Sequence, residues 1–399
     1  MRTLASQGWW LFGGWRHWLA LAAVGVLLLA GCSSAQSNPG TDLGSGALLA
    51  FIGQDGNLWM ARSDSSGAHA ITATTCAPTT SCYGPPAWSP DGQRVAVFGP
   101  KQGGTGNAIT IFNRLGVVQT TLLPADPLSF GPLLWSADGQ SLAYQGRASM
   151  TSATDSLVVL TATSGAQAAI IAIPPLDPNC SDAPQGGQLG TLVDHAINGY
   201  KGFRYTYDWS HDGNHFLLAS GQCSLAVSLV ARTGGTPQTI APLSTGALLT
   251  QGAFSRDGQL IVATQHGDSE DDLVLFTGTG ANGHIIYTDK DVAPIFVPRL
   301  SSPVFAPTNG QIYFMRGADL WVVNADGSGA RQLATGVATG DPLKAEAEPL
   351  PSPDGKYLAW MELTYSTTDN LPRTSLMVGQ PDATGAQVVA VGAVWPSWS

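Results

Sequence analysis

The stretch HGDSEDD gathers more candidate chemistry than any other in the chain, with His266, Asp268, Glu270, Asp271 and Asp272 crowded together. Carboxylate oxygens at that density are what a hard cation such as Ca²⁺ takes as ligands. Their spacing matches no ordered cation loop, so the expected state is a solvated acidic turn with no metal bound. His195, His211, His215 and His284 have no partner at a spacing that would make a catalytic pair. No G-x-S-x-G nucleophile elbow occurs, which removes the usual anchor of hydrolase chemistry. These residues predict a non-enzymatic protein without a cofactor. A hydrolase or lyase that sets His266 and its neighbouring carboxylates around a metal is the alternative left open.

Cysteines and the chain's first residues set the compartment. Residues 1–31 carry Arg2 and Arg16 and then LALAAVGVLLLAG, an apolar run too short for a comfortable membrane span. The following LAGC, Leu29 to Cys32, resembles the bacterial lipobox. That resemblance implies cleavage before Cys32, lipidation of its sulfur, and an extracytoplasmic protein anchored to a bacterial membrane. Residues 32–46, rich in Ser, Gly, Asn and Pro, then form a flexible tether. In an oxidising compartment Cys76, Cys82, Cys180 and Cys223 are an even set fit for disulfides, with three pairings open. Zinc is disfavoured, because neither pair has C-x-x-C spacing. The formal net charge of −10 comes without any Lys/Arg cluster, which excludes nucleic acid as a partner.

Only 12% of residues are charged, while Gly (48) and Pro (26) are abundant, a composition that favours short strands joined by turns. One unit recurs: PAWSPDGQRVAVFG, LLWSADGQSLAYQG, YDWSHDGNHFLLAS, GAFSRDGQLIVATQ, PVFAPTNGQIYFMR and PLPSPDGKYLAWME. Each reads as a strand, a tight turn and a second strand, and two further apolar runs usually follow. Four antiparallel strands repeating every ~45–50 residues make a propeller blade. The longer interval between Trp135 and Trp209 reads as one insertion within the series. Asp91, Asp138, Asp212, Asp257 and Asp354 are therefore turn-formers, and Trp88, Trp135, Trp209 and Phe254 are blade-to-blade packing.

These repeats resemble the WSPDG β-propeller repeats of TolB-like proteins, relatives of the tryptophan-aspartate repeat, from about Ala47 to Ser399. DLWVVNADGSGARQLAT, from Asp319, matches most closely, and NLWMARSDSSGAHAIT, from Asn57, repeats it. The pattern departs at FAPTNG and at Pro351, which stands where the repeat has Trp, so those two blades are expected to be less regular. The separate domain that TolB carries ahead of its propeller has no counterpart in residues 32–46, so TolB's partner network is not inherited; an assembly scaffold of that kind remains a third reading. The first copy lacks its innermost strand, and VWPSWS at the other end of the sequence supplies it. Residues 47–399 are thus predicted to be an all-β propeller of seven blades, with six as the alternative, closed by pairing the C-terminal strand with the N-terminal blade.

In such a ring the first-to-second and third-to-fourth turns share one face, and here they are uniformly tight. Every long connection falls on the opposite face, where binding usually resides. Both cysteine pairs map there, giving Cys76–Cys82 and Cys180–Cys223 as the expected connectivity. The same face holds the acidic turn, and KGFRYTYD brings Tyr205 and Tyr207 near the channel mouth. The expectation is a monomer, tethered to the membrane by its N-terminal lipid, that binds an envelope protein, peptide or glycan through the long-loop face.

Overall fold

A computed structural model describes residues 46–75, 82–101, 107–126, 128–147, 155–173, 204–220, 226–267, 269–290, 299–336, 343–365 and 372–399. All belong to one compact unit of the chain, Ser33–Ser399. The expected signal segment and nearly all of the tether lie outside the described residues. Among those described, no helix is long and apolar enough to cross a membrane.

The described strands, β1 to β28 along the chain, form seven four-stranded antiparallel sheets. Blade 1 is built from the last strand, β28 (Val394–Trp398), then β1 (Leu48–Ile52), β2 (Leu58–Arg62) and β3 (His69–Ala70). Blades 2 to 7 follow in order over 87–122, 128–173, 204–239, 248–289, 300–334 and 343–391. Their innermost strands are β4 (Ala87–Trp88), β8 (Leu128–Trp135), β12 (Arg204–Trp209), β16 (Leu248–Phe254), β20 (Leu300–Phe305) and β24 (Leu343–Pro351). Each innermost strand touches the next, and β24 touches β28, which touches β4, so the circle is complete. The seven-bladed reading is therefore the right one, and the blades containing FAPTNG and Pro351 are complete four-stranded sheets.

The core explains why so many strands are apolar along their whole length. Seven hydrophobic clusters each draw residues from two adjacent blades. In β1, Leu48, Ala50 and Ile52 pack toward blade 2 while Leu49 and Phe51 pack toward blade 7. A strand with partners on both faces shows no polar alternation. Closure uses the same logic: Leu49 pairs with Trp398, Ala50 with Ser397 and Ile52 with Val394. The backbone N–H of Ser399 then donates to the Leu48 carbonyl at 2.8 Å, and the Leu48 N–H donates to the Ser399 Oγ at 2.7 Å. Strand β1 is thereby paired on both sides, as the second strand of every other blade is, which leaves no unpaired edge there.

The repeated turn is one device in five blades. In blade 3, the Ser136 hydroxyl donates to Asp138 at 2.5 Å and accepts the Ser141 N–H at 2.9 Å, while Gly139 N–H donates to the Ser136 carbonyl. Gly139 sits at φ +65°, left-handed backbone that a side chain would strain. Ser89/Asp91, Ser210/Asp212, Ser255/Asp257 and Ser352/Asp354 repeat the pattern. Blades 1, 6 and 7 share a second device at their third-to-fourth turns, where Asp64, Asp326 and Asp382 each accept a hydroxyl from Ser66, Ser328 and Thr384 at 2.6 Å.

Candidate functional site

The acidic turn joins β17 (Leu260–His266) to β18 (Asp271–Thr277), with His266 and Asp271 directly opposed. Because side chains alternate along a strand, Asp271 and Asp272 leave the turn on opposite faces of blade 5. Both are buried, at 1% exposure, rather than solvated as the sequence suggested. One Asp271 oxygen bonds His266 Nδ1; the other accepts the backbone N–H groups of Arg299, at 2.6 Å, and Leu300, at 3.3 Å. Asp272 accepts the Thr288 hydroxyl at 2.7 Å and the Gln265 amide at 3.0 Å. Gln265 in turn accepts the N–H of Leu243, on the blade 4 side, at 2.6 Å. Asp271 thus clips blade 5 to the chain entering blade 6, and Asp272 orients the Gln265 amide that holds the chain arriving from blade 4.

Next to them Asp289 is also buried and is held by the fork of Arg316 (2.9 and 3.0 Å), with Arg299 3.4 Å away. The Arg316 guanidinium lies 5.1 Å from the centre of the Trp321 ring. Burying a carboxylate is tolerable when it is paired and hydrogen-bonded in this way. Among the described residues no group of three or more His, Cys, Asp or Glu side chains is arranged to hold a metal. A histidine oriented by a buried aspartate is nonetheless the geometry that sets an imidazole's tautomer for proton transfer.

Two acids on the innermost strands escaped sequence reading. Asp208 in β12 accepts the N–H of Trp209 at 2.8 Å and, from the next blade, that of Phe254 at 2.9 Å. The residue keeps some surface, but its carboxyl is set deep between blades 4 and 5, and desolvation pushes its pKa up to about 6. Glu348 in β24 is exposed, yet protein surrounds its carboxyl closely enough that desolvation raises its pKa. Both residues stand on innermost strands, β12 and β24. Glu348 has φ +55°, and Ser302 and Trp395, three residues before Phe305 and Trp398 as Glu348 is before Pro351, have φ +51° and +54°. Left-handed backbone at the same place in three consecutive blades is a feature of the ring, and such outliers gather where proteins bind or react. The signal was present in the repeat columns: Asp208 stands where the neighbouring copies have Leu134 and Ala253.

The remaining sequence candidates are placed as follows. Tyr205 and Tyr207 lie on innermost strand β12. Glu270 is half-buried in the turn, where its carbonyl accepts the Gly267 N–H at 3.0 Å. Asp268 and His195 lie outside the described residues, as do Cys32, Cys76, Cys180 and Cys223. Cys82 is disulfide-bonded. His211, His215 and His284 are separate from the acidic turn, His284 being exposed on β19 (His284–Asp289).

No protein-family model matches the chain, and no curated protein matches it. Solved structures do. TolB from Acinetobacter baumannii is 13% identical with a TM-score of 0.46, covering 90% of this chain and 67% of that one. The periplasmic gluconolactonase PpgL of Pseudomonas aeruginosa is 15% identical with a TM-score of 0.52, over 88% of this chain and 97% of that one. A prolyl endopeptidase structure is 11% identical with a TM-score of 0.54; the match takes in 85% of this chain but 46% of that one, about half its length. At these identities the likeness is one of fold, and together with the closed ring of seven sheets it makes this chain a seven-bladed β-propeller.

Proposed function

We propose that the chain is an extracytoplasmic, lipid-anchored propeller that binds a protein, peptide or glycan at the cell envelope and catalyses no reaction. The observation that carries this reading is the asymmetry of the ring. One face is made of copies of the same Ser/Asp turn, in which hydroxyl, carboxylate and backbone N–H groups satisfy one another. The same local hydrogen bonds therefore recur from blade to blade on that face, in blades 2, 3, 4, 5 and 7. The ionisable groups that do not recur from blade to blade are elsewhere: His266, Asp271, Asp272 and Asp289 lie at the β17–β18 end of blade 5, and Glu348 lies on innermost strand β24. Fixed scaffolds with one non-repeating face commonly bind there.

Anchoring comes from Cys32, and the Cys76–Cys82 and Cys180–Cys223 pairs are the disulfides of the loop face. The test is affinity capture of envelope proteins and glycans by the protein, alongside a variant in which Glu348 and His266 are both replaced by alanine. Retention of one specific ligand by the parent and its loss in the variant supports the reading; equal capture by both overturns the placement of the site. Fractionation of a Cys32→Ala variant tests the anchor, which is refuted if the processed protein stays on the membrane.

A second reading, a metal-assisted hydrolase or lyase, is favoured by the His266–Asp271 pair alone. It requires metal-dependent melting and turnover of glycan or peptide substrates, each lost in His266→Ala.

A further inference from the structure

Where the ring closes, blades 1 and 7 leave a groove of about 490 Å³ on their outer flank, within the range of small-ligand sites of about 300–1,000 Å³. One wall is the indole of Trp59, which is only partly buried. Its orientation is fixed by two neighbours. A Cβ at Gly53 would come within 2.5 Å of Trp59 Nε1, so the pyrrole edge lies on bare backbone there. The indole N–H donates to Asp55 Oδ1 at 2.9 Å.

Asp55 is itself held, accepting the Asn57 backbone N–H at 3.1 Å and its side-chain amide at 3.2 Å. The opposite wall is aliphatic, from β27 (Gln387–Val391), and ends in Val391, which is 66% exposed. Gln54 closes one end, lying against Gly392, where a Cβ would be 2.9 Å from that of Gln54. The outermost strand of blade 1, β3, has only two residues, so it does not cover the groove.

We infer that this groove binds a neutral sugar ring of a glycan, stacked on Trp59. A pyranose presents an apolar C–H face and a rim of hydroxyls. The pinned indole offers a flat apolar surface whose ordering cost is already met by folding. A carboxylate has about four lone-pair sites, and the one of Asp55 left after three hydrogen bonds accepts a hydroxyl. The Gln54 amide both donates and accepts. No cation among the described residues lines the groove, which disfavours an anionic ligand, and a purely apolar side chain would leave the last Asp55 acceptor site and the Gln54 amide unused.

The inference rests on the binding reading above, narrowing it to glycan at a site distinct from the channel, and the two fail separately. The test is isothermal titration and saturation-transfer NMR on the full chain, in a detergent without a sugar headgroup. The probes are cellotetraose, maltotetraose, chitotetraose and mannotetraose. Binding of at least one, with saturation transferred to ring C–H protons, and a loss of about tenfold or more in Trp59→Ala, is expected. Val391→Arg, at an exposed position, should block the groove in a folded protein even if Trp59→Ala disturbs the seam. Binding of none of the four, or binding that survives both variants, overturns the inference. Capture of a channel ligand with no sugar bound overturns it while leaving the broader reading intact. Sugar binding that survives Glu348→Ala but not Val391→Arg supports the groove specifically.

Discussion

The indole N–H of Trp398 donates to the carbonyl of Leu350 at 2.8 Å, 48 residues earlier in the chain. Trp135 makes the same bond to Ala87 at 2.9 Å, also across 48 residues. The blade assembled from both ends of the described chain is therefore fastened to its neighbour by the same bond that fastens blade 3 to blade 2. Trp398 is 6% exposed and stacks near Tyr357, with ring centroids 6.1 Å apart.

Trp398→Phe should keep most of the packing while leaving the Leu350 carbonyl without this donor, a loss of about 1–2 kcal/mol. Trp398→Ala adds a cavity, for a loss of about 3–5 kcal/mol. Removing residues 394–399 takes away a whole strand and should abolish the single cooperative unfolding transition. Denaturant melts of the three variants check the order, and a truncated form that melts like the parent would show that closure by β28 does not matter.

Asp208 sets a pH dependence whose sign is unusual for an aspartate. Its folded pKa, about 6, lies above the ordinary value of 3.8 because desolvation disfavours the anion. The folded state thus holds the proton more tightly than the unfolded chain, and stability falls as pH rises between those values, by on the order of 3 kcal/mol, then levels off. Asp138, Asp212 and Asp257 act in the opposite sense. Serine hydroxyls and then backbone N–H groups hold their pKa values down, so the stability they lend is present above the ordinary carboxylate pKa and is lost as pH falls through the lowered one. Stability should therefore peak in mildly acidic solution. In Asp208→Asn the decline toward neutral pH should shrink, leaving the part due to Glu348, whose pKa desolvation also raises, while the acid limb stays, as measured by melting temperature against pH.

The Ser/Asp turns make a prediction about additivity. Ser136 is buried at 3% exposure and serves both as donor to Asp138 and acceptor from Ser141. Ser136→Ala removes both bonds and should lower stability by about 1–2 kcal/mol. Ser255→Ala does the same two blades away, and because the sites share no partner the double variant should lose the sum. A double variant no worse than either single one would mean that the turns are not independent.

How much was legible follows from what a repeat can carry. The ring could be read because each copy must bury both faces of its strands and turn tightly at one end, which leaves the same marks near Trp88, Trp135 and Trp209. Closure could be read because VWPSWS matches the strand that Ala47 to Ile52 lacks. Individual departures could not be read with the same ease. Asp208 sits in a column of aliphatic residues, and only the distance to Phe254 N–H in the next blade reveals its role. The run SEDD looks like solvated acid in a string of letters. It takes the pairing of His266 with Asp271, and the alternation that sends Asp272 the other way, to show that both carboxylates are buried.

That burial separates the metal reading from the structural one by experiment. Asp271 accepts two backbone N–H groups from the connection into blade 6 as well as His266. Asp271→Ala takes that acceptor away and should cost about 2–4 kcal/mol, since buried donors lose their partner. Glu270, half-buried in the turn, offers its carbonyl rather than its carboxylate, so Glu270→Gln should change stability by less than about 0.5 kcal/mol. If the turn held Ca²⁺, both variants would weaken the protein, and a chelator would lower the melting temperature of the parent by mass action. With the carboxylates already committed to hydrogen bonds, the melting temperature should be the same in millimolar calcium and in chelator. A calcium-dependent shift lost in Glu270→Gln would overturn the structural assignment of this turn.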